Sequence, residues 1–249
     1  MTTTSSRKVV AIVEARMTSS RLPGKHLLQV RGRPMLGYLI ERLKAVPSLD
    51  QIVIAMTDRE NDDPLQAFAE SQGVTAFRGS EDDVMGRVLQ AAQANSADVI
   101  CEVTGDCPII DPDLVEQIVQ TYLANSVAYV NNGRGGLPSG MTAQVFSTEA
   151  LALSANLTDE PLDREHVTLH IKRHPEIFPA IYMVPLRPLI RKELVFTLDE
   201  KNDYELLKKI IEHFGDDNPM FRCTDVIELL GSRPEWVSIN QAVVRKGAT

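Results

Sequence analysis

The chain has 249 residues, of which 43% are hydrophobic and 24% charged; this is a globular composition and excludes disorder, collagen or coiled coil for the whole chain. The 26 basic and 34 acidic residues give a net charge of −8, which argues against nucleic acid as a partner. Three cysteines without a CxxC pair favour a reducing, cytoplasmic location, and no apolar run reaches the roughly 18 residues of a membrane span.

The chain is predicted to begin with a flexible tail at residues 1–7 and to continue as one domain at residues 8–249. The tail lacks the apolar centre of a signal peptide. The run VVAIVEA at residues 9–15 is typical of a strand buried on both faces. Pro34 then opens a predicted helix, and QIVIAMT at residues 51–57 is the next strand.

The alternation continues along the chain. We predict a helix at about residues 63–72 and a short strand in VTAFRG, followed by a helix capped by Ser80. A strand at residues 98–106 and a helix that begins at Asp111 complete this half. Strands that alternate with helices predict right-handed crossovers and a mostly parallel sheet with helices on both faces.

The second half of the chain is less regular. NNGRGGLPSG is predicted to be a loop, TAQVFS a strand and TEALALSANL a helix. Residues 163–174 read as one helix, AIYMVP and ELVFTLD as strands, and residues 203–213 as a helix that Asp203 caps. No composition shift marks an interdomain linker, so the pattern predicts a single domain.

Three motifs lie at the predicted carboxyl ends of strands, where ligands bind in open α/β sheets. EARMTSSRLPGK combines Arg16, Arg21 and Lys25 with a Pro-Gly turn, a set that suits phosphate oxygens but also describes a solvated basic loop. TGDCP carries Asp106 and FTLDEKND carries Asp199. Two carboxylates suit Mg²⁺, although each aspartate is equally compatible with a cap or a turn.

His166, His170 and His174 are spaced four residues apart and would share one face of a helix. Three ligands on one helix cannot close tetrahedrally around a zinc ion, and HExxH is absent. Of the three, His166 is the preferred substrate contact. No GxSxG elbow is present, and we interpret the cysteines as packing residues.

Taken in order, EARMTSSRLPGKHLLQVRGRPML, FRGSEDDVMGRV, TGDCPIIDP, VFSTEAL, DREHVT and FTLDEKNDYELL resemble the cytidylyltransferases that activate sugar acids, the CMP-KDO and CMP-sialic acid synthetases. The similarity is greatest to the spore coat polysaccharide biosynthesis protein F branch. It implies a Rossmann-like, GT-A-like nucleotidyltransferase fold. It also implies transfer of CMP from CTP to a sugar acid or other small anionic acceptor with Mg²⁺, release of pyrophosphate, and a homodimer.

The resemblance also implies roles for individual residues. Catalytic roles fall to Arg16, Lys25, Asp106 and Asp199, of which the two aspartates would also hold the metal. Nucleotide contacts are implied at Ala15, Arg16, Ser20, Arg21, Lys25, Arg78, Gly79, Ser80 and Asp106. Acceptor contacts are implied at Gln144, Arg164, Glu165 and His166.

One segment departs from the branch. PSGMTAQVF stands where the branch usually has PDGLDVEVF, so that Ser139, Thr142 and Gln144 replace three acids. The loss of negative charge favours a more anionic acceptor, or one with fewer hydroxyl groups. It also leaves open a nucleotide-binding protein without turnover, and a sugar-1-phosphate nucleotidyltransferase that uses another nucleotide stays a further alternative.

Overall fold

A seven-stranded mixed sheet forms the centre of the computed structural model, which describes residues 7–243. Its strands are β1 (Val9–Glu14), β4 (Gln51–Thr57), β5 (Thr75–Gly79), β6 (Val99–Thr104), β7 (Tyr129–Asn131), β8 (Gln144–Ser147) and β9 (Ala180–Tyr182); β2 (Gln29–Val30) and β3 (Arg33–Pro34) form a separate hairpin. The order across the sheet is β5-β4-β1-β6-β8-β7-β9. Within it, β8 runs antiparallel to both of its neighbours, and the other pairs are parallel.

Helices cover both faces of this sheet, which confirms the predicted fold class. They are α1 (Met35–Lys44), α2 (Asp63–Ser71), α3 (Val84–Ala94), α4 (Pro112–Leu123), α5 (Thr148–Leu157), α6 (Pro161–Glu165), α7 (Leu169–Arg173), α8 (Lys201–Phe214), α9 (Cys223–Ser232) and α10 (Pro234–Gln241). Helices α1, α2 and α4 pack on one face and α3, α5 and α7 on the other. A third apolar cluster joins α8 and α9 to Phe196 and Leu198.

The predicted alternation of the first half is confirmed, with two local corrections. Pro34 belongs to β3 and lies just before α1 instead of inside it. Ser80 does not cap α3: its hydroxyl accepts from the Asp83 amide, and Asp83 is the cap that accepts from the Gly86 amide at 2.8 Å. The acids that follow Ser80 therefore form a turn ahead of the helix.

The second half contains three wrong predictions. Residues 163–174 form two short helices, α6 and α7, separated at residues 166–168. ELVFTLD is extended, but it makes only an isolated bridge from Val195 to Ser139. Asp203 lies in the first turn of α8 and bonds back to the Glu200 amide at 2.9 Å, while Glu200 occupies the cap position. Helices α9 and α10 were not predicted.

Residues 1–6 of the predicted tail, and residues 244–249, lie outside the described residues. Arg7, the last residue of that tail, donates a hydrogen bond to the Leu123 carbonyl at 2.7 Å. Over residues 7–243, none of the helices has both the length and the apolar character to cross a bilayer.

Arg42 ties the C-terminal helices to the sheet domain. Arg42 is 1% exposed, and its guanidinium donates to the carbonyls of Phe221 (2.8 Å) and Pro219 (3.1 Å), just before α9. It also lies over the Phe221 ring, 4.1 Å from the centroid. These contacts supply hydrogen-bond donors to backbone carbonyls of the segment that leads into α9.

We expect Arg42→Met to lower the free energy of unfolding by about 3 kcal/mol, because the buried carbonyls lose their donors. Urea unfolding measures this change. Arg33→Met is the control, since Arg33 is solvent-exposed and pairs with Glu41 on the surface, where about 1 kcal/mol or less is at stake. Equal losses in the two variants would contradict the role given to Arg42.

Candidate active site

Three charged side chains from distant parts of the chain meet at the carboxyl edge of the sheet. The Lys25 Nζ atom lies 3.1 Å from Asp106 Oδ2 and 3.1 Å from Asp199 Oδ1. Lys25 is 8% exposed, so this contact is shielded from bulk water. The structure therefore brings together the loop after β1, the loop after β6 and the segment before α8.

Each aspartate is oriented by a threonine two residues before it. Thr104 Oγ1 donates to Asp106 Oδ1 at 2.6 Å, and Thr197 Oγ1 donates to Asp199 Oδ2 at 3.2 Å. The backbone joins the two segments as well, because the Leu198 amide donates to the Asp106 carbonyl at 2.8 Å. The repeated T-x-D pattern thus gives both carboxylates the same local support.

The charges of this cluster stabilise one another. Burial disfavours the charged amine, but Asp106 and Asp199 outweigh it and raise the pKa of Lys25. Burial would likewise raise the pKa of Asp106, yet Lys25 and the Thr104 hydroxyl lower it below the usual value. At neutral pH the amine is therefore protonated and Asp106 ionised.

The loop after β1 places further cations next to this cluster. Gly24 adopts a left-handed backbone with φ of 69°, and a 3₁₀ turn at Lys25–Leu27 follows. Arg21 Nη2 lies 3.0 Å from Asp199 Oδ1, and Arg16 reaches Glu81 at 3.8 Å. Ser20 is exposed on the same loop. Arg16 and Arg21 are partly open to solvent, so they remain accessible to an anion.

His26 supports the loop that carries Asp106. The His26 ring is 3% exposed, and its Nδ1 lies 3.1 Å from the Gly105 carbonyl oxygen, which makes that nitrogen the protonated donor. A Cβ at position 105 would lie 2.7 Å from the Glu14 carbonyl oxygen, so the close approach of β6 to β1 requires glycine. Burial and the neighbouring Lys25 lower the pKa of His26 to about 4.

Four of the residues predicted to contact the nucleotide lie at the ends of β1 and β5. Ala15 is buried directly after β1, and Gly79 ends β5. Ser80 follows Gly79 and is exposed. The Arg78 guanidinium is engaged elsewhere, with Asp63 at 2.6 Å and the Arg59 carbonyl at 2.6 Å. Arg16 follows Ala15 and pairs with Glu81, which follows Gly79 and Ser80 in the chain, whereas Arg78 is bound to α2.

A buried acid pair beneath this loop was missed by the sequence reasoning. Glu14 and Glu102 lie side by side on the α3 face of the sheet, and burial raises the pKa of both. Arg87, which is 3% exposed, donates to the Ser80 carbonyl and places a positive charge near Glu14. The available signal was an acid inside an otherwise apolar strand, as in VVAIVE and VICEVT.

Gln144 is the one predicted acceptor residue that joins this network. Its Nε2 donates to Glu102 Oε2 at 2.9 Å, and its Oε1 accepts from Thr168 Oγ1 at 2.6 Å and from the Tyr129 hydroxyl. Because Gln144 begins β8 next to β6, it lies on the same edge of the sheet as Asp106.

The other predicted acceptor residues lie on and after α6. The Arg164 guanidinium donates to the Ala155 carbonyl at 2.8 Å and pairs with Asp159 at 3.1 Å. Glu165 and His166 are exposed. His166 lies outside α7, so the three histidines do not share a helix face; the His170 ring instead contacts the His174 ring at a tilt of 42°, with 4.4 Å between ring centroids.

Two cations near Gln144 were also not singled out from the sequence. Lys172 follows Thr168 by one turn of α7, and its ammonium interacts with Glu102 and with Arg134. The Arg134 guanidinium lies over the Tyr182 ring, 3.8 Å from the centroid. Asn131 pairs in register with both Gln144 and Tyr182, so these side chains form one row across β8, β7 and β9.

Comparisons with known proteins agree with this fold and its charged edge. A solved cytidylyltransferase structure from Leptospira borgpetersenii superposes with a TM-score of 0.87 at 31% identity, covering 97% of this chain and 100% of that one. The spore coat polysaccharide biosynthesis protein SpsF of Bacillus subtilis is 31% identical over 94% of this chain and 98% of its own length. A 3-deoxy-manno-octulosonate cytidylyltransferase of Trichlorobacter lovleyi is 29% identical over 68% of this chain and 62% of its own.

A mixed α/β sheet that carries a lysine and two aspartates at its carboxyl edge, together with these likenesses, defines a nucleotidyltransferase. The family model described as cytidylyltransferase matches residues 10–229. The chain therefore belongs to the cytidylyltransferase family, which confirms the family predicted from its motifs.

The lowered pKa of His26 makes a prediction about stability. Because the folded protein keeps this ring neutral while the unfolded chain protonates near 6.5, stability should fall as pH decreases from 6.5 to about 4 and level off below both values. The expected loss is about 3 kcal/mol. Urea unfolding of the wild type and of His26→Gln at pH 7.5 and 4.5 measures the part of this loss that is due to His26. The variant should lose less stability than the wild type over this range. Parallel losses would show that His26 does not titrate between the two states.

Proposed function

We propose that this chain transfers CMP from CTP to a sugar acid or another small anionic acceptor, in a Mg²⁺-dependent reaction that releases pyrophosphate. The observation that carries the proposal is the contact of Lys25 with Asp106 and Asp199 at an edge that Arg16 and Arg21 also line. The names of the relatives support it, since one is a cytidylyltransferase for 3-deoxy-manno-octulosonate and another serves polysaccharide biosynthesis.

The proposed chemistry is an in-line attack by an acceptor oxygen on the α-phosphorus of CTP. A new bond forms from that oxygen to phosphorus, and the bond from the α-phosphorus to the bridging oxygen of pyrophosphate breaks. Because negative charge spreads over the phosphoryl oxygens and the leaving group, positioning and charge neutralisation supply most of the rate. Lys25, Arg21 and Arg16 are the cations placed for this task, with Ser20 on the same loop.

The donor set at this edge fits Mg²⁺. Asp106 and Asp199 offer hard carboxylate oxygens, and within residues 7–243 no group of three or more candidate ligands completes a protein cage. Mg²⁺ is commonly held by one or two carboxylates, with substrate phosphates and water as the remaining ligands. When bound there, the ion would neutralise phosphate charge and lower the pKa of an acceptor hydroxyl.

The nucleoside is assigned to the space between the loops that follow β1 and β5. Ala15, Gly79 and Ser80 would contact the base and ribose, and Arg16, paired with Glu81, brings the two loops together. Arg78 would act indirectly, because its guanidinium fixes the end of β5 to α2. Arg87 fixes the backbone of the same loop, because its guanidinium donates a hydrogen bond to the Ser80 carbonyl.

The acceptor is assigned to the row of polar side chains on the other side of Asp106. Gln144 would contact it directly, and Lys172 and Arg134 would attract its negative charge. Glu165 and His166 are exposed and free to approach it, whereas Arg164 would act by fixing α6.

The test of the proposed function is pyrophosphate release by the full chain with each of the four nucleoside triphosphates, Mg²⁺, and a panel of sugar acids and sugar 1-phosphates. We expect release with CTP and a sugar acid. Release with another nucleotide and a sugar 1-phosphate would instead identify the alternative transferase. Nucleotide binding without turnover, across the whole panel, would count against the proposal.

Asp106→Asn should lower the rate of pyrophosphate release by about 100-fold or more, because it removes a carboxylate proposed to hold the Mg²⁺ that neutralises phosphate charge. Circular dichroism and thermal unfolding check that the variant is folded. Asp113→Asn is the control, since Asp113 is an exposed acid at the start of α4, and it should leave the rate nearly unchanged. Near-normal turnover in Asp106→Asn would remove the metal and catalytic assignments.

Lys172→Met and Arg134→Met should raise the KM for an anionic acceptor about tenfold, with little change in the KM for CTP, because only the acceptor meets these cations. Steady-state kinetics with the best acceptor of the panel measures both constants. Arg187→Met, on the exposed segment after β9, is the matched control. Equal increases in both KM values would place the two cations outside the acceptor subsite.

A further inference from the structure

Every carboxylate oxygen of Asp106 and Asp199 already accepts from a donor within the protein. Asp106 accepts from Thr104 on Oδ1 and from Lys25 on Oδ2. Asp199 accepts from Lys25 and Arg21 on Oδ1 and from Thr197 on Oδ2. A divalent cation that binds both carboxylates therefore competes with these donors for the same oxygens, and with the Lys25 ammonium for the space between them.

We infer that Lys25 is an exchangeable counter-ion, which closes the aspartate pair in the ligand-free protein and moves to the triphosphate when metal and nucleotide enter together. The inference rests on the proposed function for the identity of the ligands. It goes beyond that function because it assigns Lys25 two successive partners and predicts how the two ligands depend on each other.

Lys25 is the donor best placed to leave. Its Nζ lies 3.1 Å from both carboxylates, so an ammonium ion occupies the region between them and repels a second cation. The threonine hydroxyls are neutral and belong to the same short T-x-D segments as the aspartates. Lysine has a flexible four-carbon stem, whereas the planar guanidinium of Arg21 pairs with Asp199 and Glu200 and not with Asp106.

The departure of Lys25 requires a new anion. Its side chain is only 10% exposed, so an ammonium that leaves the aspartates without another partner would be a poorly solvated charge. A triphosphate supplies that partner. Metal and nucleotide are then expected to favour each other's binding, and the coupling must be reciprocal.

The experiment measures Mn²⁺ binding to the full chain without nucleotide, by the electron paramagnetic resonance signal of free Mn²⁺. The wild type is compared with Lys25→Met and Lys25→Gln, which remove the charge and, in the second case, keep a hydrogen-bond donor. Lys208→Met is the matched control, because Lys208 is an exposed lysine whose partner Glu212 lies 4.0 Å away. Thermal unfolding establishes that each variant is folded.

We expect both Lys25 variants to bind Mn²⁺ about tenfold or more tightly than the wild type, a size typical of coupling between sites, and Lys208→Met to match the wild type. Addition of Asp199→Asn to Lys25→Met should abolish the gain. The inference is overturned if the wild type binds Mn²⁺ as tightly as the folded Lys25 variants, or if the gain survives Asp199→Asn. Because no turnover is measured, failure of the proposed function in the pyrophosphate assay is distinguishable from failure here.

Discussion

The contact of one lysine with two aspartates is the constraint on which the rest of the site depends. Asp106 and Asp199 each lie 3.1 Å from the Lys25 Nζ atom. Two carboxylates this close together would repel each other, and the positive charge of Lys25 offsets that repulsion. Their backbones are fixed independently, since the Leu198 amide donates to the Asp106 carbonyl. Electrostatics and backbone pairing therefore favour the same arrangement.

The topology of the sheet explains why this contact lies where it does. The chain moves outward from β1 to β4 and β5 and then returns to the other side of β1 with β6. The loops after β1 and β6 consequently follow neighbouring parallel strands and lie at the same carboxyl edge of the sheet, where ligands bind in open α/β sheets. Lys25 and Asp106 come from these two loops. On the far side, the antiparallel β8 places Gln144 beside Glu102.

The sequence was sufficient for the features with a local or periodic signal. Buried parallel strands such as β1 and β4 are continuous apolar runs, and α2 forms close to its predicted bounds of about residues 63–72. Lys25 and Asp106 were grouped correctly because the ends of neighbouring strands converge, whereas Asp199 joins them although the segment before it is not a strand of the sheet. The helix over residues 163–174 was wrong because its break at residues 166–168 has no proline or glycine to signal it.

Features that depend on tertiary pairing could not be derived in this way. ELVFTLD has the composition of a strand, but only Val195 finds a bridging partner, so hydrogen bonding and not propensity decides its state. The contacts of Arg78 and Arg164 depend on Asp63 and Asp159, which the motifs do not relate to them. Lys172 and Arg134 become neighbours only through α7 and the loop after β7.

The acid beside position 144, Glu102, explains why a neutral glutamine suits that position. A glutamate there would direct a carboxylate at Glu102, whose oxygen lies 2.9 Å from the Gln144 amide nitrogen, and Glu14 adds a second acid to the same buried region. Glutamine instead donates to Glu102 and accepts from Thr168 and Tyr129. The glutamine at position 144, which had suggested a protein without turnover, is therefore explained by its hydrogen bonds. It lowers the negative charge on the wall where Lys172 and Arg134 lie, and this favours an anionic acceptor without implying any loss of chemistry at Lys25 and Asp106.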